Sequence, residues 1–169
     1  VTFLVRPARA AQLEEHGLQI RSPLGDADIP VAHVLAEELV ALANEKPFDL
    51  VLLSCKAYDL DSSLDAIAPA MGQQTTLLPI LNGLLHFEQL DARFGRERVL
   101  GGLCFISATK GPSGEILHLA RPASITFGER DGDPDSARVQ AFAALCAQAG
   151  VEHLASADIH QQLWIKYSF

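Results

Sequence analysis

Asp49-Leu-Val-Leu-Leu-Ser-Cys55 and Thr75-Thr-Leu-Leu-Pro-Ile-Leu81 are two short, nearly unbroken apolar runs, and the segment between them carries Leu60, Leu64, Ile67 and Met71 at helical spacing. A continuous apolar run bounded by polar residues is the pattern of a strand covered on both faces, as in a parallel sheet. Strand, helix, strand, and then a short helix over Leu84–Phe94 closed by Gly95, is the alternation of an α/β sheet. Upstream, Val1–Val5 reads as a β-rich run. Pro7 and Gly17 bracket an alanine-rich helix, since proline suits a helix start and glycine its end. A strand follows around Leu18–Ser22, then a turn at Pro23–Asp26, and Leu35, Leu39 and Leu42 recur at helical spacing up to Pro47.

From Val99 the pattern changes. Val99–Thr109, Glu115–Ala120 and Ser124–Gly128 read as three short strands split by Gly111-Pro-Ser-Gly114 and by Arg121-Pro122, added antiparallel to the sheet. Asp133 with Pro134 opens a helix with Val139, Phe142, Cys146 and Ala149 on one face. Val151–Ala155 is a last strand, and Ser156 is placed to cap a helix still running at Phe169. The expected division is a sheet domain over 1–155 and the start of an inter-domain helix over 156–169.

The chain has 169 residues, 49% of them hydrophobic and 20% charged, a globular profile with enough apolar matter for one core. A formal net charge of −8 argues against a general nucleic-acid surface, though a few local cations can serve one phosphate. No apolar stretch approaches the ~20 residues of a membrane span, and no basic-then-apolar leader opens the chain. Cys55, Cys104 and Cys146 lie in apolar runs without C-x-x-C spacing, which points to small buried thiols in a reducing compartment, the cytoplasm by default. The six histidines show no metal spacing and read mostly as surface or helix-face residues. There is no G-x-G-x-x-G, no P-loop and no G-x-S-x-G elbow. Asp131, Asp133 and Asp135 lack the rest of a calcium loop and read as a solvated turn.

In an open α/β sheet, ligands collect beyond the carboxyl ends of the strands. Three polar positions fall there. Arg6 follows the first strand, where an arginine accommodates the 2′-phosphate of NADP; from spacing alone, a solvated arginine is the simpler reading. Lys56 ends the Asp49–Cys55 run and faces a phosphate or carboxylate there, or simply water. Asn82-Gly83 ends the next strand, combining a two-way hydrogen-bonding amide with a bare backbone, although Asn-Gly is also a common turn. Lys166 is the most informative residue. At ~100° per residue it lies about 20° from Ile159 and about 60° from Leu163 on the apolar face of the last helix. A lysine there is either desolvated, which favours its neutral form, or snorkels from the core edge.

Val5-Arg6, Leu53-Ser-Cys-Lys56-Ala-Tyr-Asp59, Leu81-Asn82-Gly83 and Leu163-Trp164-Ile-Lys166 occur in the order and spacing of the ketopantoate reductases (2-dehydropantoate 2-reductases), which the chain resembles along essentially its whole length. The resemblance implies a Rossmann-like NADP-binding domain that lacks the family's Gly-rich first βα unit and its C-terminal helical domain. It implies that Arg6 holds the 2′-phosphate of NADPH, and that Lys56, Asn82 and the backbone at Ala108 border the cofactor. Lys166 would then polarise the 2-keto group of ketopantoate and supply the proton as hydride arrives. The activity implied for the parent protein is the NADPH-dependent reduction of ketopantoate to D-pantoate, for pantothenate and coenzyme A synthesis. The fragment alone would be inactive, and a homodimer or domain-exchanged assembly would cover its sheet edge. Two other readings stay open: a reductase of another 2-oxo acid, and a non-catalytic Rossmann-like binding or assembly module.

Overall fold

A computed structural model describes residues 1–168 as an α/β chain that divides into two compact units. One is Val1–Lys46 with Phe105–Ala123, and the other is Pro47–Cys104 with the chain from Ser124 onward. No helix among the described residues is long and apolar enough to cross a membrane.

In the first unit, β1 (Thr2–Leu4) leads into α1 (Pro7–His16), which buries Ala10 and Leu13 and stops at Gly17. β2 (Leu18–Arg21) pairs antiparallel with β3 (Ala27–Ile29), and β4 (Ala32–Val34) pairs parallel with β1 in the register Thr2↔Ala32 to Leu4↔Val34. α2 (Leu39–Glu45) closes the segment, with Leu39 buried. The strands over 27–34 carry too few apolar residues for a period to show, and the helical spacing of Leu35, Leu39 and Leu42 yields only the short α2.

The second unit holds the two runs that decide the fold. β5 (Leu50–Leu53) and β6 (Thr76–Pro79) pair parallel from Leu50↔Thr76 to Leu53↔Pro79, and all four residues of β6 are buried. Between them α3 (Leu60–Ile67) buries Leu60, Leu64 and Ile67, the stripe read from the sequence. α4 (His86–Phe94) follows β6 and ends at Gly95. A parallel bridge from Leu77 to Val99 then leads into β7 (Gly101–Lys110).

β7 and its neighbour β8 (Ile116–Gly128) form a hairpin closed by the Gly111 N–H donating to the Glu115 carbonyl. The break expected at Arg121-Pro122 is absent: β8 is one strand. Its partners explain this. β2 pairs with it at Ile116 and Leu117, and β9 (Glu152–Ala155) at Ser124–Phe127. Pro122 lies between those two ladders, so neither requires the N–H that proline lacks. Both pairings are parallel. The antiparallel addition expected in the second half is the β7–β8 hairpin, and β8 takes parallel partners before and after Pro122.

α5 (Ala137–Gln148) packs Val139 and Cys146 onto Leu78, Leu100, Ile125 and Phe127, with the Phe127 and Phe142 rings edge-on at 4.7 Å. Its cap is Ser136, whose hydroxyl accepts from the Val139 N–H, three residues later than the expected start at Asp133. α6 (Ile159–Tyr167) is capped by Asp158, which accepts from the Gln161 N–H, and not by Ser156. The expected run of this helix to Phe169 lies outside the described residues.

Candidate functional site

Beyond the end of β6 the chain turns through Leu81-Asn82-Gly83 before α4 begins. Gly83 adopts φ +97°, a conformation that favours glycine, and it leaves the turn without a side chain. α6 is brought to β7 by two other glycines. A Cβ at Gly101 would fall 2.7 Å from Ile159 Cγ1, and one at Gly128 would overlap the Ser156 carbonyl oxygen. With Ile159 and Leu163 buried against the strands, the third residue of that face, Lys166, points back toward Asn82 and β7.

There the ammonium donates to Asn82 Oδ1 at 2.8 Å and to the Cys104 carbonyl at 2.8 Å. Lys166 is half-buried, which favours the second of the two readings open from the sequence: α6 places it at the edge of the core, where snorkelling keeps the head group in polar company. Asn82, Gly83, Lys166 and Tyr167, with the side chains of Leu81, Leu103 and Leu163, line a cavity of about 340 Å³. Among the described residues, that lining sets the Lys166 cation over an apolar floor.

The other residues singled out from the sequence stand apart from this cavity lining. Lys56 is exposed beyond β5, where its carbonyl accepts from the Asp59 N–H and opens a short 3₁₀ turn at Ala57–Asp59. Arg6 and Ala108 belong to the first unit. Arg6 is exposed at the N-cap of α1, directly after β1, and Ala108 is exposed on β7. Arg9, three residues beyond Arg6, is engaged with the Gly114 carbonyl at 2.5 Å and with Gln12.

Several groups have little or no signal in the sequence. The Cys104 acceptor is a main-chain oxygen and has no side-chain signature. Tyr167 stands outside every motif. Two of the histidines are buried. His118 holds Nε2 against the Pro122 carbonyl, so Nδ1 accepts from Ser22 Oγ at 2.8 Å. His86 lies tilted on Phe87 with Nε2 unpartnered among the described residues; burial, with the nearby Arg130 charge, lowers its pKa to about 4.

The opposite end of the same strands carries a second charged group. Arg130 grips Asp91 through both carboxylate oxygens, at 2.5 and 2.9 Å, and lies over the Phe87 ring. Arg138 grips Glu129 with two 2.6 Å bonds and reaches toward Thr76 at the start of β6. Hydrogen bonds from Arg130 and Arg138 hold the Asp91 and Glu129 carboxyls below their usual range, although partial burial opposes the shift. Among the described residues no cluster of His, Cys, Asp or Glu is disposed to hold a metal ion.

Comparison with known proteins agrees with this architecture. The family described as ketopantoate reductase PanE/ApbA matches residues 1–132. An uncharacterized oxidoreductase, YkpB, of Bacillus subtilis (strain 168) is 37% identical over 169 residues, which is 100% of this chain and 54% of that protein. The crystal structure of 2-dehydropantoate 2-reductase from Geobacter metallireducens GS-15 superposes with a TM-score of 0.84 at 32% identity, over 98% of this chain and 53% of that one. A ternary structure of D-mandelate dehydrogenase with NADH and anilino(oxo)acetate has a TM-score of 0.82 at 24% identity, over 98% of this chain and 52% of that one, a likeness of fold. The chain thus spans about half the length of the relatives it matches. Its α/β sheet is Rossmann-like, and the chain belongs to the ketopantoate reductase PanE/ApbA family.

Proposed function

We propose that the parent protein of this chain is an NADPH-dependent reductase of a small 2-oxo acid, with ketopantoate the first candidate and D-pantoate its product, a step of pantothenate and coenzyme A synthesis in the cytoplasm. The observation that carries this reading is the placement of Lys166: an ammonium aimed by Asn82 and the Cys104 carbonyl at a cavity with an apolar floor. Such a cavity suits a small anion with an apolar arm. The name of the Geobacter relative, 2-dehydropantoate 2-reductase, supports the substrate class.

NADPH supplies the hydride when bound; that chemistry belongs to the cofactor. Residues of this chain fit it. Arg6, exposed at the N-terminus of α1, offers a planar cation whose donors match a phosphate. Gly83 leaves backbone bare where Asn82 presents its amide. On this reading Arg6 takes the 2′-phosphate, and Lys56, Asn82 and the backbone of Ala108 border the rest of the nucleotide. Lys166 polarises the substrate keto oxygen through its ammonium and delivers a proton to that oxygen. Asn82 Oδ1 and the Cys104 carbonyl aim the ammonium, restricting it to the geometry that proton delivery requires.

Titration calorimetry of NADPH and NADH against the protein and its Arg6→Ala variant tests the cofactor half. The expected result is NADPH bound well ahead of NADH, with the preference lost in the variant. Equal binding of the two nucleotides, or none of either, would sink the assignment of Arg6 and favour a non-catalytic module.

A further inference from the structure

We infer that Tyr167 is a substrate-recognition residue, its hydroxyl donating a hydrogen bond to the carboxylate of the 2-oxo acid that Lys166 engages at the keto oxygen; this rests on the reductase reading above. Tyr167 is the last residue of α6 and follows Lys166 directly. Its side chain is 60% exposed, so it contributes little to the core. It does not simply extend into solvent. The hydroxyl oxygen stands over Gly83, where a Cβ would lie 2.9 Å from it and 3.6 to 3.7 Å from two ring carbons.

The phenol therefore reaches the bare turn beside Asn82 and forms part of the lining of the cavity that Lys166 shares. The hydroxyl has no hydrogen-bond partner among the described residues. Asn82 Oδ1 is taken up by the Lys166 ammonium, which leaves the Asn82 NH2 group as a donor. The polar side chains of this cavity thus offer donors, one of them charged. A 2-oxo acid has two adjacent oxygen-bearing groups. With the ammonium committed to the keto oxygen, the carboxylate needs donors of its own. The phenol O–H is a side-chain donor with no competing acceptor among the described residues, and an O–H···O⁻ bond is charge-assisted and strong.

The test uses the protein with saturating NADPH. It compares Tyr167→Phe, which keeps the ring, with Tyr167→Leu and Lys166→Ala. Two readouts are taken: the kinetics of ketopantoate reduction, and calorimetric binding of oxamate, a redox-inert mimic of a 2-oxo acid. Losing a hydrogen bond to a charged group predicts that Tyr167→Phe raises the ketopantoate KM and the oxamate Kd by about tenfold to a hundredfold. kcat should stay within about threefold and NADPH binding should be unmoved, because the lost contact is equally present in ground and transition states. Oxamate bound by Tyr167→Phe as well as by wild type overturns the proposal, even if Tyr167→Leu is weakened, since ring packing alone would then account for the residue. The reductase reading fails separately, if Lys166→Ala turns over normally or wild type reduces no 2-oxo acid. Where wild type binds oxamate, the comparison decides on Tyr167 whatever the outcome for turnover, and where it binds none the proposal for Tyr167 fails as well.

Discussion

The two ends of the strands in the second unit both carry fixed cations and hold them in different ways. At the amino end, Arg130 and Arg138 are each held by two hydrogen bonds to a carboxylate, so the charges are matched within the fold. At the carboxyl end, Lys166 donates to the oxygens of Asn82 and Cys104 at the wall of a cavity lined, among the described residues, by apolar and hydrogen-bonding side chains. Size does not separate the two ends, since the cavity at the amino end, about 390 Å³, is the larger. What separates them is the setting of each cation: Arg130 and Arg138 are clamped by carboxylates within the fold, whereas Lys166 is aimed by an amide and a main-chain carbonyl at the wall of a cavity.

The strongest way to break that contrast is to remove one charge from each end. Lys166→Ala should lower kcat/KM for a 2-oxo acid by about 10²–10⁴, the usual contribution of general-acid help, with little change in Tm because the lysine is only half-buried. Steady-state kinetics and a thermal melt on the same variant check both halves. Asp91→Asn should do the reverse. It leaves Arg130, whose side chain is 6% exposed, without its carboxylate. Breaking a buried pair costs about 3–5 kcal/mol, and the lower end applies because Asp91 is itself a quarter exposed. That corresponds to a Tm lower by about 10 °C for a chain of this size, read by calorimetry. If Asp91→Asn melts like wild type, or Lys166→Ala retains full activity, the division of labour between the two ends is wrong.

Much of this contrast is legible in the sequence, but unevenly. β5 and β6 announce themselves because strands covered on both faces need apolar residues at every position. Lys166 stands out because helical phase alone places it with Ile159 and Leu163. The amino-end pairs leave no such trace: Asp91 and Arg130 are 39 residues apart, and each looks like an ordinary surface charge in its own segment. β3 and β4 are invisible in the sequence because three-residue strands show no measurable period. The continuity of β8 through Pro122 depends on where its partners stop pairing, a fact of tertiary structure. The lowered pKa of His86 has no trace in its own segment, because it comes first from burial and then from the charge of Arg130, far along the chain.

That histidine sharpens the contrast through pH. Its folded pKa of about 4 lies below the ordinary value of 6.5. The native state therefore binds the proton more weakly than the unfolded chain. The resulting stability is fully present above pH 6.5 and drains away as pH falls toward 4, by at most about 1.4 kcal/mol per pH unit for a single proton. Chemical denaturation at a series of pH values should show this slope in wild type and a flatter one in His86→Leu over the same window. Asp91 and Glu129, whose pKa values are lowered, add their own losses at more acidic pH, so the upper part of the window reports on His86. An unchanged slope in the variant would mean that the amino end is not the acid-sensitive one.

The smallest expected effect lies at the carboxyl end and divides backbone strain from crowding. Gly83→Ala imposes a side chain at φ +97°, which costs about 1 kcal/mol or somewhat more whatever the space around it. It also brings a Cβ to 2.9 Å from the Tyr167 hydroxyl, while the nearest ring carbon stays at an ordinary 3.6 Å. The hydroxyl is the exposed end of a side chain that can swing aside, so crowding should add only a few tenths of a kcal/mol in folding. In the background of Tyr167→Phe the crowding disappears and the backbone cost persists. A double-mutant cycle by urea denaturation should then show Gly83→Ala nearly as costly with phenylalanine present as without. A penalty that vanishes with the hydroxyl would instead show that the tyrosine is fixed rigidly over the turn before any substrate binds, a more preorganised cavity than its exposure implies.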